Sequence, residues 1–163
     1  MSVTVDTISV LSTEEVQAIE TEISHLPDRQ SAAIEALQII QRARGWVSDE
    51  SVQAAASLLG MSAAQLDSIA TFYNLIHRRP VGRHVVMVCD SVSCFVMKGD
   101  DLSARVQACL GIGMGETTDD NRFTLLPIVC LGACDRAPVM MIDQQLFGVH
   151  ETDELEAIIG NFA

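Results

Sequence analysis

What this chain has least of is positive charge: Lys and Arg number 10 against 22 Asp and Glu, a formal net charge of −12. That deficit leaves no electrostatic footprint for a phosphate backbone or an anionic lipid surface, so nucleic acid is not an expected partner. Long apolar runs are absent too. None approaches the roughly 18 residues that a membrane span requires, and no direct membrane insertion is expected. Residues Met1 to Val10 hold no Lys or Arg and no sustained apolar stretch, so neither a secretory signal nor a basic transit peptide is readable in them. The expectation is a soluble, cytoplasmic protein. Nucleotide fingerprints are missing as well: Gly111-Ile112-Gly113-Met114-Gly115 is glycine-rich but follows a helical pattern, where phosphate-binding loops follow a strand. Cysteine is scarce and odd in number, 5 residues in all. In a reducing compartment that count argues against a disulfide framework and for metal ligation or thiol chemistry.

What is present is enough apolar matter for a real core, 48% of 163 residues. From Ser12 to about His77 the pattern is helical. Ser12 and Glu15 have capping-box spacing, and Val16, Ile19, Ile23 and Leu26 then recur at helical intervals up to Pro27. A second helix carries Ile34, Leu37 and Ile40 before Gly45. Ser48 can cap a third, with Val52, Ala55, Leu58 and Leu59 on its apolar face, and Ser62 with Gln65 opens a fourth through Leu66 and Ile69. The pattern changes around Arg78-Arg79-Pro80-Val81-Gly82, giving an expected helical domain over 1–78 and a second domain over 79–163. In the second, His84 to Cys89 and Phe123 to Val129 fit buried strands, and Leu102, Val106, Cys109 and Leu110 share one helical face between them. Strand, helix, strand favours a crossover with parallel strands. Val139 to Ile142 and Leu146 to Val149 read as a hairpin, and Thr152 with Asp153 can start a last helix. The fold class is α/β, with a mixed sheet after a helical bundle.

Chemistry concentrates in two cysteine pairs, Cys89 with Cys94 and Cys130 with Cys134. Four thiolates can enclose one zinc ion or hold the two irons of a [2Fe-2S] cluster, and the C-x4-C and C-x3-C spacings favour the wider inorganic core. Zinc and a pair of redox thiols stand as alternatives. If the two strands are parallel, Cys89 and Cys130 emerge at the same edge of the sheet, and the loops that follow can bring Cys94 and Cys134 to them. An oxidised cluster with four thiolates carries a charge of about −2, and about −3 once reduced, so amide donors are needed around it. Leu131, Gly132 and Ala133 allow backbone N–H groups to approach sulfur, while Leu126 to Val129, Pro138 and Val139 should limit water on one side. Cys109 reads as a buried small hydrophobe. His25, His77, His84 and His150 share no close motif with the cysteines, which disfavours a Rieske centre, and they read as surface or packing residues. Asp90, Asp135 and Arg136 flank the pairs and can tune a reduction potential through space.

These residues resemble a known family. Phe123-Thr124-Leu125-Leu126-Pro127, then Cys130-Leu131-Gly132-Ala133-Cys134, then Ala137-Pro138, is similar to the second cysteine pair of the thioredoxin-like [2Fe-2S] subunit of respiratory NADH:quinone oxidoreductase, complex I. Cys89-Asp90-Ser91-Val92-Ser93-Cys94 resembles its first pair. Ala70-Thr71-Phe72-Tyr73, Pro80-Val81-Gly82-Arg83-His84, Ile34-Glu35-Ala36-Leu37 and Arg44-Gly45-Trp46-Val47 resemble further family segments. A departure lies after Cys94, where Phe95-Val96-Met97-Lys98 stands in place of the His that many members carry beside the cysteine.

The resemblance implies an N-terminal helical bundle and a thioredoxin-like domain with a mixed four-stranded sheet. Its ligands carry over to Cys89, Cys94, Cys130 and Cys134. It implies an oxidoreductase component with no catalytic site of its own, on the peripheral arm of a membrane-associated complex. The partners implied are a flavoprotein that binds FMN and NADH and a larger iron-sulfur subunit. Equivalent subunits serve NAD-linked formate dehydrogenases and hydrogenases. A thiol–disulfide oxidoreductase would need the C-x-x-C that is lacking here, and a purely structural scaffold is the third reading.

Overall fold

The computed structural model describes residues 10–148 and 152–162. Two compact units meet in sequence between Pro80 and Val81. In the first, local hydrogen bonds start and stop each helix. Ser12 Oγ accepts the Glu15 N–H at 3.1 Å while Glu15 Oε2 accepts the Ser12 N–H at 2.7 Å, the reciprocal box that opens α1 (Thr13–Ser24). A 3-10 turn (Arg29–Ala32), capped by Asp28, leads into α2 (Ala33–Arg44), which stops at Gly45 in the left-handed region. Ser48 caps α3 (Asp49–Leu59), and a second box of Ser62 with Gln65 opens α4 (Ala63–Phe72). Ile19, Leu37, Ile40, Val47, Leu59 and Leu66 are buried together as the core of this bundle. Beyond α4, Arg78 ties the helices down: its Nε donates to Asp67 at 3.0 Å, one Nη to Asp49 at 2.6 Å and the other to the Val47 carbonyl. His77 packs nearby, and burial holds its imidazole below the ordinary range.

In the second unit the order is β1 (His84–Cys89), α5 (Val92–Val96), α6 (Gly99–Leu110), β2 (Phe123–Ile128), a 3-10 turn (Cys134–Arg136), β3 (Val139–Ile142), β4 (Gln145–Gly148) and α7 (Thr152–Gly160). The sheet runs β2-β1-β3-β4, with β1 and β2 parallel and the other pairings antiparallel. This is the mixed four-stranded sheet anticipated from the strand pattern. The expected hairpin is β3 with β4, although Val149 falls outside the described residues, as does His150. β2 ends at Ile128 rather than Val129. Its place at the sheet edge explains how Pro127, which has no N–H to give, can sit opposite Val88.

Strand alternation sorts the side chains into two layers. Val86, Val88, Phe123, Leu125, Met140 and Ile142 face one way and pack with Leu102 and Val106 of α6 and Leu155 and Ile159 of α7. Val85, Met87, Cys89, Ile128 and Val139 face the other way, where they meet Cys94, Ala133 and Ala137. One face of the sheet is therefore covered by helices, and the other by the segments that carry cysteine.

Candidate metal centre

Cys89 is the last residue of β1, and its register partner Ile128 is the last of β2, with the Asp90 N–H donating to the Ile128 carbonyl at 3.0 Å. Two residues further on comes Cys130. Parallel pairing thus delivers one cysteine of each pair to the same sheet edge, as the strand order required. The Cys89 thiol lies 3.8 Å from the Val129 carbonyl, against the segment that leads to Cys130.

The second cysteine of each pair arrives by a device that the spacing alone does not disclose. Cys94 sits on α5, a single helical turn, and Cys134 opens a 3-10 turn; neither is on an open loop. The Cys94 thiol has Cys89 and Cys134 as neighbours and receives a backbone hydrogen bond from Val139. Burial, reinforced by Cys89 and Cys134, pushes that thiol above its ordinary range despite the Val139 amide. Gly132, at φ 73°, turns the chain between Cys130 and Cys134 in a conformation that costs an L side chain energy, and its N–H donates to Cys130 Sγ at 3.4 Å. Amide donors to sulfur, expected for an anionic centre, are present at two of the four cysteines. Gly99, the first residue of α6, backs Cys94 so closely that a Cβ there would lie 2.8 Å from the Cys94 carbonyl oxygen.

The four cysteines divide by exposure: Cys89 and Cys94 are buried, Cys130 and Cys134 are exposed. Shielding is also less complete than expected. Ile128, Pro138 and Val139 are buried and Leu126 partly so, but Pro127 is exposed and Val129 is 69% exposed. Cys109 is corrected as well, since it is an exposed residue at the end of α6 rather than a core one. It lies one turn past Val106, where α6 is about to stop at Gly111, beside an open depression shared with Thr118, Asp120 and Arg122. Its sulfur is still partly shielded, and burial, followed by the charge of Glu156, pushes the thiol up.

The apolar surface around the site was also missed in the sequence. Val92, Phe95, Val96 and Met97 are 71%, 62%, 71% and 53% exposed. Their adjacency in sequence to Cys94 was the available signal, but residue type alone does not tell an outward valine from an inward one. Beside Cys89 is a cavity of about 60 Å³ lined by Asp90, Phe95, Asp100, Ser103, Met114 and Pro127 among others. Sites for drug-sized ligands run from about 300 Å³ upward, so this one has no room for a flavin or nucleotide. Among the described residues, no three His, Cys, Asp or Glu side chains converge as they would around one metal ion. A two-iron cluster asks for less convergence, because its four cysteines are divided two to an iron across its width. The donor set of four cysteines with nearby amides fits such a group.

A sheet with helices on one face and two cysteine pairs gathered beside the ends of its parallel strands has the architecture of a small iron-sulfur electron carrier. The model of the thioredoxin-like [2Fe-2S] ferredoxin family matches residues 19–163, and the chain belongs to that family. Among curated relatives, the E-type subunit of the NADH-quinone oxidoreductase of Pseudomonas aeruginosa is 48% identical over 139 residues, covering 85% of this chain and 84% of the relative. Its counterpart in Escherichia coli K12 is 49% identical over 134 residues, covering 82% and 81%. That of Buchnera aphidicola from Acyrthosiphon pisum is 40% identical over 152 residues, covering 93% and 94%. A solved structure of an NAD+-reducing [NiFe]-hydrogenase in its H2-reduced state shares the fold with a TM-score of 0.67 at 20% identity. The match covers 80% of this chain but only 22% of that longer one.

Proposed function

We propose that this chain is the [2Fe-2S] electron-transfer subunit of an NADH-quinone oxidoreductase, with Cys89, Cys94, Cys130 and Cys134 as the cluster ligands. One observation carries the ligand assignment: parallel strand ends bring Cys89 and Cys130 to one sheet edge, where Cys94 has Cys89 and Cys134 as neighbours. When bound, such a cluster accepts and returns a single electron. The chain's own residues do the rest. Val139 and Gly132 point amides at sulfur, Gly99 fixes the Cys94 backbone, and the buried side of the site excludes water. FMN and NADH are assigned to a flavoprotein partner, which acts alongside a larger iron-sulfur subunit in the peripheral arm of a membrane-associated complex; the small size of the cavity beside the cysteines, about 60 Å³, supports that assignment. Among the described residues no helix is long and apolar enough to cross a membrane.

Anaerobically purified protein should contain iron and acid-labile sulfide in equal amounts, about two of each per chain. Cys94→Ser should lose most of both while far-UV circular dichroism stays unchanged. Zinc without sulfide would overturn the cluster assignment. Affinity isolation of the native assembly tests the host: quinone-reducing subunits support the proposal, and a hydrogenase or formate dehydrogenase large subunit refutes it.

A further inference from the structure

Of the chain's 10 glycines, Gly99 and Gly148 are the two at which an added Cβ would come closer than 3.0 Å to another heavy atom, and each abuts a turn that carries a cysteine. Behind Cys94 stands Gly99, whose Cβ would lie 2.8 Å from the Cys94 carbonyl oxygen and 2.9 Å from the carbonyl carbon. Lys98, at φ 67°, reverses the chain so that α6 begins against the backbone of α5. Gly148 ends β4, and its Cβ would lie 2.9 Å from the carbonyl oxygen of Arg136, the last residue of the 3-10 turn that Cys134 opens. Neither glycine has a positive φ. Space rather than backbone conformation therefore requires glycine at both, and the atoms in the way are main chain, which cannot swing aside as a side-chain tip can.

The two close approaches bear on one pair of thiols. Cys94 has Cys134 as a neighbour and receives the Val139 amide. Val139 is also the register partner of Gly148, so β4 holds the segment between Cys134 and Val139 twice, by contact at Arg136 and by strand pairing at Val139. We infer that Gly99 and Gly148 are positioning residues of the cluster site: their missing side chains let α6 and β4 close on the two turns, which sets the placement of Cys94 against Cys134 and the aim of the Val139 amide at Cys94. The inference rests on the cluster assignment above and deepens it. Reduction takes such a cluster from about −2 to about −3, so an amide donor stabilises the reduced form more than the oxidised one. A methyl group at either glycine must displace main chain, which lengthens that hydrogen bond and favours the oxidised form.

The test uses the full chain, purified anaerobically, and compares wild type with Gly99→Ala and Gly148→Ala. Gly160→Ala is the control, because a Cβ at Gly160 meets nothing within 4 Å. Both site variants should keep the far-UV circular dichroism of wild type and about two irons and two sulfides per chain. They should nonetheless show shifted g values in the reduced-state electron paramagnetic resonance spectrum and a reduction equilibrium about tenfold less favourable, roughly 59 mV lower for one electron. The control should match wild type in every reading. Unshifted g values and midpoint in a folded site variant overturn the inference, as does the same shift in Gly160→Ala. If Gly99→Ala fails to fold, Gly148→Ala decides by the same readings, and loss of the fold in both overturns the inference, since the glycines would then serve packing alone. Absence of iron and sulfide in the wild type would instead refute the cluster assignment, an outcome read before any variant is compared.

Discussion

Replacing Arg44 by Met should destabilise the helical unit by about 3 kcal/mol at pH 7 and by far less in acid. Arg44 ends α2 and grips Glu15, the box residue of α1: Nε donates to Oε1 at 2.6 Å and Nη2 to Oε2 at 2.5 Å. Two more donations go to the Val10 carbonyl at 2.7 Å and to Ser51 Oγ at 3.3 Å. The Glu15 side chain is 5% exposed and that of Arg44 31%, so the carboxylate is the charge stranded when the pair is broken. Methionine keeps much of the packing of the arginine stem but none of its donors. Losing one partner of a buried pair costs about 3–5 kcal/mol, and partial access of water on the arginine side sets the lower end, roughly a hundredfold in the folding equilibrium.

The pH dependence has a definite sign. Hydrogen bonding to Arg44 holds the Glu15 carboxyl below its usual range against the opposing effect of burial. A depressed folded-state pKa contributes stability that is complete above the unfolded glutamate value, about 4.3, and that is lost as pH falls through the folded value. In Arg44→Met the buried carboxyl is easier to protonate, so the gap to wild type should narrow to about 1 kcal/mol once pH has fallen below the depressed folded value of wild-type Glu15. Urea unfolding followed by fluorescence of Trp46, the one tryptophan of the chain, reports on this unit. A loss under 1 kcal/mol at pH 7, or one independent of pH, would refute the reasoning. The double variant Glu15→Leu with Arg44→Met should recover most of the loss, because no charge is then left buried.

The second unit offers two further tests. Lys98, between α5 and α6, is held at φ 67°, which costs a side-chain-bearing residue about 1–2 kcal/mol; Lys98→Gly should therefore raise stability by about 0.5 kcal/mol after the larger entropy of unfolded glycine is subtracted. A lower urea midpoint in the variant would show that the turn carries no such strain. Cys109→Ser should leave iron and sulfide content and the visible spectrum as in wild type, since Cys109 lies at the opposite end of α6 from Gly99, the residue that backs Cys94. Loss of iron in that variant would mean the ligand set has been misassigned.

Much of the fold was legible because its determinants are local. The Ser12–Glu15 and Ser62–Gln65 boxes, and Gly45 at a helix end, act within a turn or so of chain, and each appears where its spacing placed it. β1 was readable from His84 to Cys89 because it is paired on both sides and buried on both faces, so nearly every position is apolar. The parts that were not legible depend on tertiary context. Five residues are too few to show helical periodicity, and α5 buries only its cysteine, so Val92 to Val96 reads as a loop. Cys109 follows the spacing of Leu102 and Val106, yet the helix ends there and its outermost turn has little left to pack against.

How the sheet divides its two faces explains how a small domain can carry an exposed redox site. β1 contributes to both layers: Val86 and Val88 anchor the helix-covered face, while Val85, Met87 and Cys89 belong to the cysteine face. The helix-covered layer alone buries Phe123, Leu125, Met140, Ile142 and Leu155 to 1% exposure or less, without using any of the four paired cysteines. Stability and ligation therefore draw on different side chains of the same strands. A cysteine replaced by serine removes a donor from the second layer but leaves the first intact, so loss of the cluster and loss of the fold are separable events. The same division frees the cysteine face to stay partly uncovered. Exposed apolar side chains such as Phe95 and Val96, a liability on a domain with one core, become tolerable when the other face holds the strands together.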